Sequence, residues 1–373
     1  MTSAAAATSF VCTRCGTEAP ARPETLACPA CGDTLELRTA PARLDGASLE
    51  GAGVWRYRDF LPVDDPVSLG EPTTPLVAGR WAHRDVIFKL EGAQPTGSFK
   101  DRGAAVLVSW LAENGVEHVA DDSSGNAGAA LAAYCARAGI TCDLYVPADT
   151  PPAKLAQMEA YGARLVRVPG PRSASTEAVR AASDSIYASH SRSPLYTAGT
   201  QTFAWELWEQ LGRRVPDALV APVGGGSLLL GALRGFLALR AAGLVERLPR
   251  IMGIQTSACA PLALAVAADS PDPLPVEPAP SDAGGILVAR PARGRELLAA
   301  VAATSGTVVA VPESDVLATC GALARKGFFV EPTSAVAVAG LDLLVREGLL
   351  GTGETVVAAL TGHGLKVPPA GSG

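Results

Sequence analysis

An α/β fold built on parallel sheets is the class this sequence predicts, and three observations predict it. Short, nearly continuous apolar runs alternate with amphipathic stretches of helical length from about residue 85 onward. Several of those runs break into glycine- or hydroxyl-bearing turns and restart at once as helices. The chain has 373 residues, 48% of them hydrophobic, enough for a sizeable core and two medium lobes.

Taken in order, the first predicted strand is "DVIFKLEG", residues 85–92. "HVADDSS" then runs into the helix "GNAGAALAAYCARAG", the strand "CDLYVP", the helix "PPAKLAQMEAYG" and the strand "ARLVRVPG". Later come the helix "TFAWELWEQLG", the strand "DALVAPVGGG", the helix "SLLLGALRGFLALRAAG" and the strand "RIMGIQT". The last third continues with "GTVVAVPE", the helices "SDVLATCGALARKG" and "TSAVAVAGLDLLVREG", and the closing strand "TVVAALTGHG". Unbroken apolar strands between helices imply sheets covered on both faces. The proline-rich "SPDPLPVEPAPSDAGG", residues 270–285, reads as a surface loop or lid. Residues 41–85 form an irregular lead-in.

A formal charge of −6 gives no reason to bind nucleic acid or acidic membranes. The start lacks a secretory signal, and no uncharged apolar run reaches the roughly 20 residues of a membrane span. The cytoplasm is the expected compartment. Four of the eight cysteines, Cys135, Cys142, Cys259 and Cys320, lie singly in apolar surroundings as reduced core residues.

The other four are spaced for a metal. Cys12 and Cys15 stand two residues apart, and twelve residues on Cys28 and Cys31 repeat the spacing, each pair followed by glycine. Two such turns complete a tetrahedral thiolate shell for Zn²⁺. With four cysteine ligands no position stays open for water, so residues 1–40 read as a structural zinc-ribbon module. Its balanced charge and single aromatic, Phe10, make a poor nucleic-acid footprint.

The chain has only five lysines, and Lys100 opens a predicted helix after the turn in "LEGAQPTGSFKDRGAA". A helix start lowers the cost of a neutral amine, which a lysine needs in order to join a carbonyl. Ser98 is expected to cap that helix, with Asp101 at its third position. The remaining lysines have ordinary explanations: Lys89 facing outward from its strand, Lys154 on an amphipathic helix, Lys326 at a helix end, Lys366 near the terminus. "DDSSGNAGAA" exposes main-chain N–H groups at a helix start and makes an anion site of carboxylate size, with Asn126 placed for a phenolic oxygen. In "APVGGGSLLLG", Gly224, Gly225, Gly226 and Ser227 let the main chain wrap a phosphate. "ALTGHGLK" ends a strand in a hydroxyl turn; Thr361 there suits a pyridine nitrogen, and His363 is either an acid–base group or a spacer.

Together these pieces resemble the fold-type II pyridoxal-phosphate-dependent enzymes, the tryptophan synthase β-like group, and most closely the threonine synthase family. "PTGSFKDRG" looks like its Schiff-base segment, "SSGNAG" like its asparagine loop and "TGHGLK" like its carboxy-terminal turn. The resemblance spans about residues 45–366. It implies a large lobe of residues 41–100 and 197–370, a small substrate-side lobe of 101–196, and the cofactor between them. It implies Lys100 as Schiff-base lysine and proton shuttle, Asn126 on the ring oxygen, and Ser123, Ser124, Gly125, Asn126 and Ala127 around the substrate carboxylate. Gly224, Gly225, Gly226 and Ser227 would hold the phosphate and Thr361 the ring nitrogen. A neutral hydroxyl there moderates carbanion stabilisation, which suits elimination and replacement. The implied reaction converts O-phospho-L-homoserine and water to L-threonine and phosphate, with Lys154, Arg164 and Ser98 as candidates for the departing phosphate. A homodimer is implied as well. "GGGS" and the Ala127–Gly128 pair depart from the threonine synthase pattern. They keep open β-elimination or β-replacement, as in a serine/threonine dehydratase or a cysteine or cysteate synthase-like enzyme. A catalytically silent regulatory relative is the non-enzyme alternative.

Overall fold

The computed structural model describes residues 9–38 and 49–366. Along the chain the elements are β1 (Ser9–Cys12), β2 (Glu18–Pro20), β3 (Leu35–Arg38), β4 (Leu76–Trp81), β5 (Arg84–Leu90), α1 (Lys100–Glu113), β6 (His118–Asp121), α2 (Asn126–Ala138), β7 (Thr141–Pro147) and α3 (Pro152–Ala160). They continue as β8 (Arg164–Val168), α4 (Arg172–Ala181), β9 (Ile186–Tyr187), α5 (Pro194–Gln210), β10 (Ala218–Pro222), α6 (Ser227–Ala241), β11 (Arg250–Thr256) and α7 (Pro261–Ala267). The last are α8 (Gly294–Ala303), β12 (Thr307–Val311), α9 (Glu313–Ala324), α10 (Pro332–Arg346) and β13 (Val356–Leu360). The chain folds into two compact units, one of residues 1–71 and 100–200, the other of 72–99 and 201–373. The lead-in residues 49–71 group with the first unit.

The first unit carries a four-stranded sheet in the order β8-β7-β6-β9, every pair parallel. α1 and α2 pack against each other through small residues: Ala104, Ala105, Ala129, Ala130, Ala132 and Ala133 are all buried. Close approach explains the glycines. A Cβ on Gly103 would meet the Tyr196 ring at 2.4 Å, and one on Gly128 the Ser123 carbonyl at 2.2 Å. A separate antiparallel sheet, β2-β1-β3, forms the amino-terminal ribbon. Its buried Phe10 packs against Trp110 of α1, ring centroids 6.3 Å apart.

The second unit holds a six-stranded sheet, β12-β11-β10-β13-β5-β4, parallel except for the β4–β5 hairpin at one edge. That hairpin turns through Ala82 and His83, both at positive φ. Two successive positive φ values define a type I′ turn, usually signalled by Asn-Gly, so the sequence hid the antiparallel strand. The core is α10 laid on the sheet, where Ala335, Val336, Val338, Leu341 and Leu344 meet Val220, Ile254, Ala358 and Leu360.

Both faces of this sheet are covered, and that overturns the expectation for Lys89. Its side chain is 0% exposed, and its ammonium donates to Glu206 (2.5 Å), Gln210 (2.7 Å) and the Thr74 carbonyl (2.8 Å). A strand covered on both faces has no outward side, so this lysine survives only by being fully paired.

Candidate active site

In open α/β sheets, ligands bind beyond the carboxyl ends of the strands. In the first unit that edge carries the asparagine loop between β6 and α2. Ser123 is buried, its hydroxyl accepting the Gly125 N–H at 3.3 Å. Ser124 and Asn126 are partly exposed and Gly125 is exposed, with nothing within 4 Å of where its Cβ would lie. Ala127, which is buried, follows Asn126 in the first turn of α2. Gly125 precedes the helix without any side-chain cap, so the first-turn N–H groups keep their pull on an anion.

Just upstream stand two buried carboxylates. Asp122 accepts from Arg172 (3.1 Å), Tyr187 (3.0 Å) and Thr176. Burial opposes its charge, yet Arg172 and His190, with the two hydroxyls, outweigh burial and hold it down to about 2. Asp121 bonds His190 Nδ1 at 2.9 Å, and burial pushes its carboxyl above the ordinary range. These two acids and His190 come close enough to share a cation. Arg172 already supplies the counter-charge.

Lys100 lies in the same unit and opens α1, partly exposed. Its carbonyl accepts the Tyr196 hydroxyl at 3.0 Å. Burial raises that phenol well above its usual range, so it remains a donor at neutral pH. The Ser98 cap does not form: its hydroxyl is buried with no partner. The candidates for a departing phosphate separate as well. Lys154 is exposed on α3, beyond the carboxyl end of β7. Arg164 sits at the opposite, amino end of β8, tied to Asp143. Sequence gives order along the chain but not the edge on which a side chain emerges.

In the second unit the same edge carries the glycine loop between β10 and α6. Gly226 adopts the left-handed conformation, φ 84°. A Cβ on Gly224 would strike Ile286 at 2.8 Å and one on Gly226 would strike Leu297 at 2.9 Å, whereas Gly225 faces open space. Two glycines are therefore needed by the fold and the third leaves a cradle at the start of a 15-residue helix. Ser227, buried, begins that helix.

Beyond β13, Thr361 is buried, its hydroxyl 3.1 Å from that of Ser334 on α10. Ser334 also ties down both the N–H (2.6 Å) and the carbonyl (3.0 Å) of Gly362. Ser334 was missed in the sequence; the only signal was a hydroxyl in the first turn of a helix opening with Pro332. His363 is fixed in place through its ring. Its Nδ1 accepts the Leu365 N–H at 3.1 Å, and its ring stands edge-on to Phe329.

Among the ribbon cysteines, Cys12–Cys31 and Cys15–Cys31 sulfurs lie 3.5 Å apart and Cys15–Cys28 3.6 Å, with no disulfide. A tetrahedral thiolate shell with zinc–sulfur bonds of about 2.3 Å needs sulfurs about 3.8 Å apart. Main-chain N–H groups of Arg14, Cys15 and Ala30 point at the first sulfur of each pair, at 3.4 Å. Hydrogen bonds, those from Thr17 foremost, hold the Cys15 thiol down to about 6, whereas, against a main-chain hydrogen bond at Asp33, the neighbouring thiols push the Cys31 thiol up to about 12.

Each unit carries a small-residue loop ahead of a helix at the carboxyl ends of its parallel strands, the edge where α/β enzymes bind their ligands. The chain belongs to the fold-type II family of pyridoxal-phosphate-dependent enzymes, whose pattern it matches over residues 67–362. It is 37% identical to a threonine synthase of Methanocaldococcus jannaschii, over 85% of this chain and 82% of that one. It is 34% identical to the threonine synthase of Methanosarcina acetivorans, over 96% and 92%. Among solved structures, it resembles a threonine deaminase of T.th. with a TM-score of 0.65 and 29% identity, over 78% of this chain and 92% of that one. No helix among the described residues is long and apolar enough to cross a membrane.

Proposed function

We propose that this chain is a lyase that makes L-threonine and phosphate from O-phospho-L-homoserine and water. One observation carries the reading: relatives named threonine synthase are 33–37% identical over more than four fifths of both chains. Bound pyridoxal phosphate supplies the electron sink for carbanion chemistry next to an amino acid's nitrogen. The chain's own residues supply the rest. Lys100 holds the cofactor aldehyde and, once released, moves protons at the substrate's α- and β-carbons. Gly225, flanked by Gly224, Gly226 and Ser227, takes the cofactor phosphate on the α6 amino end; its open Cβ direction supports this role. Thr361, oriented by Ser334, faces the ring nitrogen, and Asn126 the phenolic oxygen. Ser123, Ser124, Gly125, Asn126 and Ala127 bind the substrate carboxylate.

The ribbon, in this reading, binds one structural zinc through Cys12, Cys15, Cys28 and Cys31, and its Phe10–Trp110 contact braces α1. By likeness to the family the protein works as a cytoplasmic homodimer. Phosphate release from O-phospho-L-homoserine tests the assignment. The wild type should release phosphate and Lys100→Ala none above background; no release by either overturns the assignment. A second reading, a serine/threonine dehydratase, is favoured by the glycine-only loop and by the likeness to the T.th. threonine deaminase. Ammonia and a keto acid from L-threonine would select it.

A further inference from the structure

Every polar group of the cofactor and of an amino acid's main part has a partner in the proposal above. The oxygen on the amino acid's side chain does not. The loop 91–99, between β5 and α1, holds the unexplained groups. Gln94 is 3% exposed, yet neither its Nε2 nor its Oε1 has a hydrogen-bond partner. Ser98 is 0% exposed, and its hydroxyl has none either. Thr256, buried at the carboxyl end of β11 on the same sheet edge, repeats the pattern.

A loose loop does not explain these groups. The Gln94 N–H bonds the Glu91 carbonyl at 3.3 Å, and the Gly97 N–H bonds the Gln94 carbonyl at 2.8 Å. Gly97 accepts the His363 N–H at 2.9 Å, Ser98 bridges to Gly362, and the Phe99 N–H bonds the Thr361 carbonyl at 3.0 Å. Lys366 donates to the Thr96 carbonyl at 2.8 Å. The main chain is fixed against the Thr361 turn, while two polar side chains on it stay unsatisfied. Burying an amide and a hydroxyl without partners is unfavourable, and native folds keep such groups mostly where a ligand or water completes them.

We infer that Gln94 and Ser98 form the subsite for the β-hydroxyl of a hydroxy amino acid. A carboxamide offers a donor and an acceptor side by side, which matches a group that both gives and takes a hydrogen bond. Neither residue is charged, so the pair suits a neutral hydroxyl and not a phosphate dianion, which draws cations or helix N-termini. The inference rests on the amino-acid lyase reading but not on either version of it. In threonine synthesis this oxygen enters as water and stays in the product; in dehydration it is the one that leaves.

The test uses the cofactor-loaded protein and two ligands that differ by the hydroxyl alone, L-threonine and L-2-aminobutyrate, titrated by the change in cofactor absorbance. The wild type should prefer L-threonine. Gln94→Leu should weaken L-threonine by about tenfold or more and leave L-2-aminobutyrate and cofactor binding unchanged. Ser98→Ala, a smaller change that keeps the loop's shape, should act in the same direction. Equal loss for both ligands in both variants, or loss for neither, overturns the inference and leaves these side chains holding a structural water only. A wild-type protein whose spectrum responds to no amino acid overturns the parent reading, and this inference with it.

Discussion

Substituting the three glycines between β10 and α6 one at a time separates what the fold needs from what the cofactor needs. Gly226→Ala forces a side chain into the left-handed region at φ 84° and pushes a methyl to 2.9 Å from Leu297. Such strain costs about 1–3 kcal/mol before the clash is counted. Gly224→Ala drives its methyl against the Ile286 main chain at 2.8 Å, which cannot yield as a side-chain tip would. Gly225→Ala meets nothing within 4 Å and has no positive φ to relieve. Its methyl would occupy the cradle where the phosphate is proposed to lie. Melting temperature of the apoprotein and absorbance titration with pyridoxal phosphate read the two effects apart. Gly225→Ala should melt within about 2 °C of wild type, consistent with a stability change below about 0.5 kcal/mol. It should also bind the cofactor at least about tenfold more weakly, equivalent to about 1.4 kcal/mol. Gly226→Ala should lose both. A Gly225→Ala protein that binds the cofactor as tightly as wild type would refute the assignment of this loop.

Glu206→Ala strands the buried Lys89 ammonium and should lose about 3–5 kcal/mol in denaturant unfolding; adding Lys89→Met should recover part of it. An unchanged midpoint in the single variant would contradict the pairing. Asp122 has a depressed folded pKa, so its contribution is present above its ordinary value of 3.8 and is lost as pH falls through about 2. The shift corresponds to about 2 kcal/mol. The stability gap between wild type and Asp122→Asn should therefore close between about pH 4 and pH 2, and a pH-independent gap would contradict that origin. Purified protein should carry one zinc per chain, and removing it with a chelator, or Cys28→Ser, should lower the melting temperature. A metal-free preparation that melts at the same temperature would refute the structural zinc.

Much of the candidate site was legible because it is written locally. Cys-x-x-Cys spacing, three consecutive glycines, and a strand breaking into "SSGNAG" each fix a turn within a few residues. The alternation of apolar runs and helices likewise gave the two parallel sheets. What escaped depends on distant chain. Lys89 reads as an outward strand residue until Glu206 and Gln210 of α5 are brought against it. Ser98 has the spacing of a cap, but its buried hydroxyl makes no hydrogen bond to the helix it precedes. Arg164 offers a cation in the sequence but lies at the amino end of its strand, opposite the edge that carries the loops. Ser334 orients Thr361 from a helix 27 positions earlier. The β4–β5 hairpin hid because Ala82 and His83 occupy conformations usually held by asparagine and glycine.

The most direct measurement is to load the protein with pyridoxal phosphate, reduce it with borohydride, digest it and locate the pyridoxyl adduct by mass spectrometry. The adduct should lie on Lys100, and none should form in Lys100→Ala. An adduct on Lys89, Lys154, Lys326 or Lys366 in the wild type, or no adduct anywhere, would contradict this assignment.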